Sequence, residues 1–108
     1  MSDAQRPDRL AMLETMIAKG SSDPFVHYAR ALELRSVGRL DDSLEALVAV
    51  AEAFPSYVPT YLIAGQLAVQ LGAFERARGL LVEGITKARA AGDGKARGEL
   101  EAALAELD

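Results

Sequence analysis

The sequence predicts an all-α fold, and three observations carry that expectation. Apolar residues recur at spacings of three and four in successive stretches, as in Leu10, Leu13, Met16 and Ile17. No window alternates apolar and polar residues with period two, and no Asn-Gly or Asp-Gly pair separates two β-branched runs. Gly20, Gly38, Gly72 and Gly92 close four of the periodic stretches, where helix C-termini favour glycine.

Six antiparallel helices follow, at about 8–19, 24–37, 41–53, 59–71, 75–91 and 95–107. Residues 1–7 are polar and are expected to be disordered. The first helix starts near Pro7 or Asp8 and stops at the Gly20-Ser21-Ser22 turn. Asp23-Pro24 opens the second, an N-cap acceptor followed by proline at the first helical position. Asp42 with Glu45 resembles a capping box for the third, whose inner stripe is Leu44, Leu47, Val48 and Ala51. The fourth lies in Val58–Phe74, a stretch without a charged side chain, and a helix apolar nearly all round is normally surrounded by protein. The fifth places Ala77, Leu80, Leu81, Gly84 and Ile85 inward, and nothing breaks it before Gly92. Asp93-Gly94 is a helix–helix turn, and the last helix aligns Leu100, Ala103, Leu104 and Leu107.

The 108 residues suffice for one domain, and half of them are apolar, as a folded chain requires. The absence of cysteine excludes a disulfide framework, a thiolate nucleophile and Cys-type zinc sites, and fits a reducing, cytoplasmic compartment. The N-terminus has no apolar signal-peptide core, and the aliphatic run Ala46–Ala51 is far too short to span a bilayer. A net charge of −4 disfavours broad binding to nucleic acid. Neither a nucleic-acid nor a membrane partner is expected.

A repeat organises the centre of the chain. Gly38 and Gly72 are 34 residues apart, as are Leu40 and Phe74, Ser43 and Ala77, and Leu47 and Leu81. A helix–turn–helix unit of that period resembles the tetratricopeptide repeat (TPR) family, whose pattern is W-x2-L-G-x2-Y…A-x3-F…P. The second copy reads Tyr61-x2-Ala64-Gly65-x2-Ala68, then Ala77-x3-Leu81. Gly65 and Ala77 would let two helices approach closely, with Tyr61 and Leu81 filling the space beside them. The first copy departs from the pattern at His27 and Arg30 but keeps Ala31, Leu34 and Pro55. The second has Arg89 in place of that proline, which agrees with a longer fifth helix. The resemblance covers about residues 24–91. It implies a TPR-like α-solenoid of helix hairpins: a leading helix at 8–20, repeat 1 at 24–57, repeat 2 at 58–91 and a capping helix at 95–107, in a single domain over 8–108. An antiparallel bundle whose glycines coincide in phase is the plainer alternative. The expected core includes Leu13, Leu34, Leu44, Leu47, Tyr61, Ala64, Gly65, Ala68, Ala77 and Leu81.

Few residues suggest chemistry. His27 is the sole histidine, so no His pair can hold a metal, and it reads as a helix residue in the place of the usual aromatic. Asp41 and Asp42 complement a helix dipole more simply than they form a catalytic pair. Gly92-Asp93-Gly94-Lys95 lacks the remaining residues of a phosphate loop. Arg76, Arg78, Lys87 and Arg89 form a basic stripe along the fifth helix, either a site for an acidic segment or a solvated face. No nucleophile, base and oxyanion site assemble, so no enzyme activity, cofactor or metal is expected.

TPR proteins present a concave surface lined by the first helix of each repeat and bind peptides or partner helices there. The resemblance therefore implies a protein-interaction module. The alternative is a structural or self-associating domain, a homodimer or an accessory subunit with no separate ligand. In the family's frame the groove residues are Phe25, Tyr28, Leu32 and Arg35 in repeat 1, and Pro59, Leu62, Gln66 and Val69 in repeat 2. Members that hold acidic chaperone tails use Lys, Arg and Asn at such places. Here Arg35 is the single cation, so the expected partner is an apolar or amphipathic protein segment, or a second copy, anchored by Phe25 and Tyr28. A groove shielded by the chain's own first or last helix is the competing expectation.

Overall fold

The computed structural model describes residues 2–108, with side chains from Arg9 onward. It contains six helices: α1 (Ser2–Ala18), α2 (Pro24–Ser36), α3 (Leu40–Ala53), α4 (Pro59–Gln70), α5 (Phe74–Ala91) and α6 (Gly94–Ala105). No strand occurs among the described residues. From α2 onward every boundary lies within two residues of its expected place. The helical backbone of α1 begins ahead of residue 8. The disorder expected over 1–7 falls on Met1, which lies outside the described residues, and on residues whose side chains do.

Local chemistry explains where the chain turns. The Asp23 carboxylate accepts the Phe25 N–H at 2.9 Å, and Pro24 occupies the first helical position of α2. Asp93 caps α6 in the same way, accepting the Ala96 N–H at 3.0 Å. At the end of α2 the Gly38 N–H donates to Arg35 O and the Arg39 N–H to Leu34 O, the Schellman pattern. It recurs 34 residues later, where Gly72 donates to Val69 O and Ala73 to Ala68 O. Gly38 and Gly72 take φ of +86° and +79°, values that side chains rarely tolerate.

One expected cap is corrected. Helix α3 starts at Leu40, so Asp42 lies inside its first turn and cannot be the N-cap of a box with Glu45. The Arg39 guanidinium takes the Asp42 carboxylate instead, at 2.9 Å.

The chain divides into two compact units, Met1–Val50 and Ala51–Asp108. In the first, α1 lies against α2. Val26, Ala31, Leu34, Leu44 and Leu47 are buried, and on α1 it is Leu10 that is buried. Leu13, expected in the core, is only half-buried, and Leu10 one helical turn before it is buried instead. The Ser43 hydroxyl, itself buried, donates to the Ala31 carbonyl at 2.7 Å and so ties α3 to α2.

In the second unit α4, α5 and α6 pack together around Tyr61, Leu81, Ala88 and Leu100. Tyr61 and Leu81 are 0% and 1% exposed, which fixes the phase of the repeat. A methyl group built at Gly65 would stand 2.5 Å from Leu81 Cδ2, and one at Gly84 would stand 2.5 Å from Tyr61 Cβ. Each helix thus presents a bulky residue to a glycine of the other: Leu81 over Gly65, and Tyr61 over Gly84. Helix interiors normally disfavour glycine by about 1 kcal/mol against alanine. Here contact geometry requires it.

Candidate functional site

The residues expected to face a partner fall on two helices, one in each unit. On α2, Phe25 is 59% exposed, in the first turn beside the capping Asp23. Arg35 is exposed near the helix end, and Tyr28 and Leu32 are half-buried. On the same helix, residues off this line are held by α1. Arg9 donates twice to the Glu33 carboxylate, both bonds 3.3 Å, and Arg30 donates to Glu14 at 3.2 Å. The His27 ring nitrogen donates to the Ser21 carbonyl at 2.9 Å. His27 therefore fastens the α1–α2 turn, a role that spacing alone did not reveal.

On α4, Pro59 and Gln66 are exposed, and Leu62 and Val69 are half-buried. Leu62 is packed against the cluster of Tyr61, Leu81 and Leu100, together with Ala103 and Leu104 of α6 and Leu107 just beyond it. The last helix thus covers part of this stretch. Between α4, α5 and α6 remains a hollow of about 210 Å³, lined by Gly65, Gln66, Val69, Leu81, Ala103, Glu106 and Leu107.

The basic stripe of α5 is not one open surface. Arg78 donates to Asp108 at 2.6 Å and lies 3.9 Å from Glu75. The hydrogen bond to Asp108, and then its charge, raise the guanidinium pKa above its ordinary value. Arg76 and Arg89 are exposed and Lys87 is half-buried. The Tyr61 phenol donates to the Pro55 carbonyl at 2.7 Å. Desolvation first, and the Glu83 charge second, push its pKa up. Among the described residues no group of three or more His, Asp or Glu could hold a metal ion. No helix among them is long and apolar enough to cross a membrane.

No family model matches this chain, and no curated protein does. Solved structures do. A crystal structure of a tetratricopeptide repeat domain protein from Salinibacter ruber is 31% identical, covers 80% of this chain and 96% of its own, and superposes with a TM-score of 0.74. A solution structure of a tetratricopeptide repeat domain protein from the same organism is 32% identical over 79% of this chain and 86% of its own, with a TM-score of 0.75. A solution structure from Bordetella parapertussis, 23% identical over 91% of this chain and 85% of its own, has a TM-score of 0.75 and shares the fold.

Proposed function

Because the chain belongs to the tetratricopeptide repeat family, we propose that it is a non-enzymatic, cytoplasmic interaction module for an apolar or amphipathic protein segment. The observation that carries this reading is Phe25, a large ring left 59% exposed at the start of α2 on the family's partner-facing line. Tyr28, Leu32 and Arg35 continue that line on α2, and Leu62, Gln66 and Val69 form its counterpart on α4. Nothing on these lines offers the cluster of cations that an acidic tail needs, so binding should depend only weakly on salt.

The test compares wild type with Phe25→Ser and Arg35→Ala in affinity capture from native lysate, with circular dichroism as the folding control. Leu62 is unsuited to truncation because it also packs on the core of its unit. Partners lost with Phe25→Ser at unchanged helicity support the reading. Partners retained by both variants overturn it. Sedimentation over a wide concentration range separates self-association: a Phe25-dependent dimer with no other captured protein would mean that the occupant is a second copy.

A further inference from the structure

The hollow in the second unit has a composition that selects its occupant. Its floor is Gly65 and Leu81, both buried. Val69, Ala103 and Leu107 form half-buried apolar walls, and the only polar residues lining it are the exposed Gln66 and Glu106. Its volume of about 210 Å³ is that of one large side chain. Dry apolar cavities of about 150 Å³ already hold a benzene-sized guest. Two neighbouring acids are engaged, Glu101 of α6 near Arg97 and the terminal Asp108 with Arg78. Among the described residues the Glu106 carboxylate has no such cation, although it stands at the mouth of the hollow.

We propose that this hollow is a subsite for one aromatic or branched aliphatic side chain of a protein partner, next to a Lys or Arg that meets Glu106. The proposal rests on the interaction-module reading and specifies the partner's chemistry at this position. The apolar group displaces water from Leu81, Val69 and Leu107, which supplies the attraction. Gln66 can donate to, and accept from, the partner's backbone at the rim. The cation neutralises the one carboxylate that the fold leaves without a partner there. The chain's net charge of −4 favours the same sign.

The test titrates isotopically labelled full-length protein with three capped dipeptides and follows backbone amide shifts. The probes are acetyl-Lys-Phe-amide, acetyl-Glu-Phe-amide and acetyl-Lys-Ala-amide. The first should shift the amides of Gln66, Val69, Ala103 and Glu106 saturably at millimolar concentration. It should bind roughly two- to five-fold more tightly than the Glu-Phe probe, the range for an exposed ion pair. Glu106→Gln should erase that preference and keep the binding. Gln66→Trp, a change at an exposed position, should plug the mouth and abolish binding by every probe without altering helicity. No shift at these amides, an equal response to the Lys-Ala probe, or a preference that survives Glu106→Gln would overturn the assignment. The broader reading fails separately, when the Phe25 variants keep every captured partner while the Lys-Phe probe still fills the hollow.

Discussion

The two units repeat one pattern and hold it together by different physics. In the second, α4 and α5 meet through reciprocal steric fit: Tyr61 over Gly84 and Leu81 over Gly65. Thirty-four residues earlier the same places carry His27, Val50, Leu47 and Ala31, so neither glycine is present. There, polar links take over. His27 holds Ser21, Arg30 holds Glu14, Arg9 holds the nearly buried Glu33, and Ser43 in the small-residue place donates to the Ala31 carbonyl. A repeat phase therefore sets where helices meet, while the side chains decide whether the joint tolerates charge. Exposed ion pairs contribute about 0–1 kcal/mol each and weaken in salt, whereas a methylene forced into a filled contact costs about 1–3 kcal/mol at any ionic strength.

The sharpest way to break this contrast is Gly84→Ala. Alanine would ordinarily stabilise a helix interior by about 1 kcal/mol. Here its methyl meets Tyr61 Cβ, which no rotamer can move, so a net loss of about 2 kcal/mol is expected in urea denaturation. Gly65→Ala should cost less, because it meets Leu81 atoms farther along a flexible side chain. A gain in stability at Gly84 would dissolve the steric account of the second unit.

Next in size, Arg9→Met should cost about 1–2 kcal/mol, since it strands the Glu33 carboxylate, whose side chain is 10% exposed. Arg30→Met, in a pair open on both sides, should cost under about 1 kcal/mol. Amide hydrogen exchange in molar salt should speed up in α1 and α2 and stay constant in α4, which carries no charged side chain. Equal acceleration in both units would remove the electrostatic half of the comparison.

Tyr61→Phe should cost about 1 kcal/mol by leaving the Pro55 carbonyl without its donor. The folded phenol has a raised pKa, so its contribution is complete below the unfolded value of about 10 and is lost as pH climbs through the folded one. Wild type should thus lose stability above pH 10 more steeply than Tyr61→Phe. Parallel alkaline limbs would contradict this.

The smallest effect is expected at Thr60, whose buried hydroxyl has no hydrogen-bond partner among the described residues. The first unit carries Val26 in the same register, also buried. Thr60→Val should therefore raise stability, by up to about 1 kcal/mol. A loss would imply that the hydroxyl is satisfied by water.

Most of the fold was legible because its signals are local. Asp23-Pro24, Gly38, Gly72 and Gly92 set helix ends through backbone geometry that needs no distant partner. Tyr61, Gly65 and Leu81 declared themselves through phase. What stayed hidden depends on neighbours far along the chain. Gly84 reads like any inward residue until Tyr61 is seen above it. His27 and Arg30 read as departures from a pattern, because Ser21 and Glu14 answer them from another element. Leu13 and Leu10 share one stripe, and only the contact with α2 decides which is buried. On the candidate site, the family frame put Gln66 and Val69 on one line of α4 but could not show the hollow that they line, since Ala103, Glu106 and Leu107 reach it from the far end of the chain.

The Schellman turns at Gly38 and Gly72 bear on how quickly the molecule can form. Each reversal is decided within a short stretch, Leu34 to Arg39 or Ala68 to Ala73, so its signal is complete before any remote segment arrives. The entropic search is split into small independent pieces, and chains rich in such local contacts reach the native state in microseconds to milliseconds. Temperature-jump relaxation, rather than manual mixing, is the method suited to that regime. A dominant refolding phase lasting seconds, beyond the minor one that proline isomerisation produces, would show that some distant event sets the pace after all.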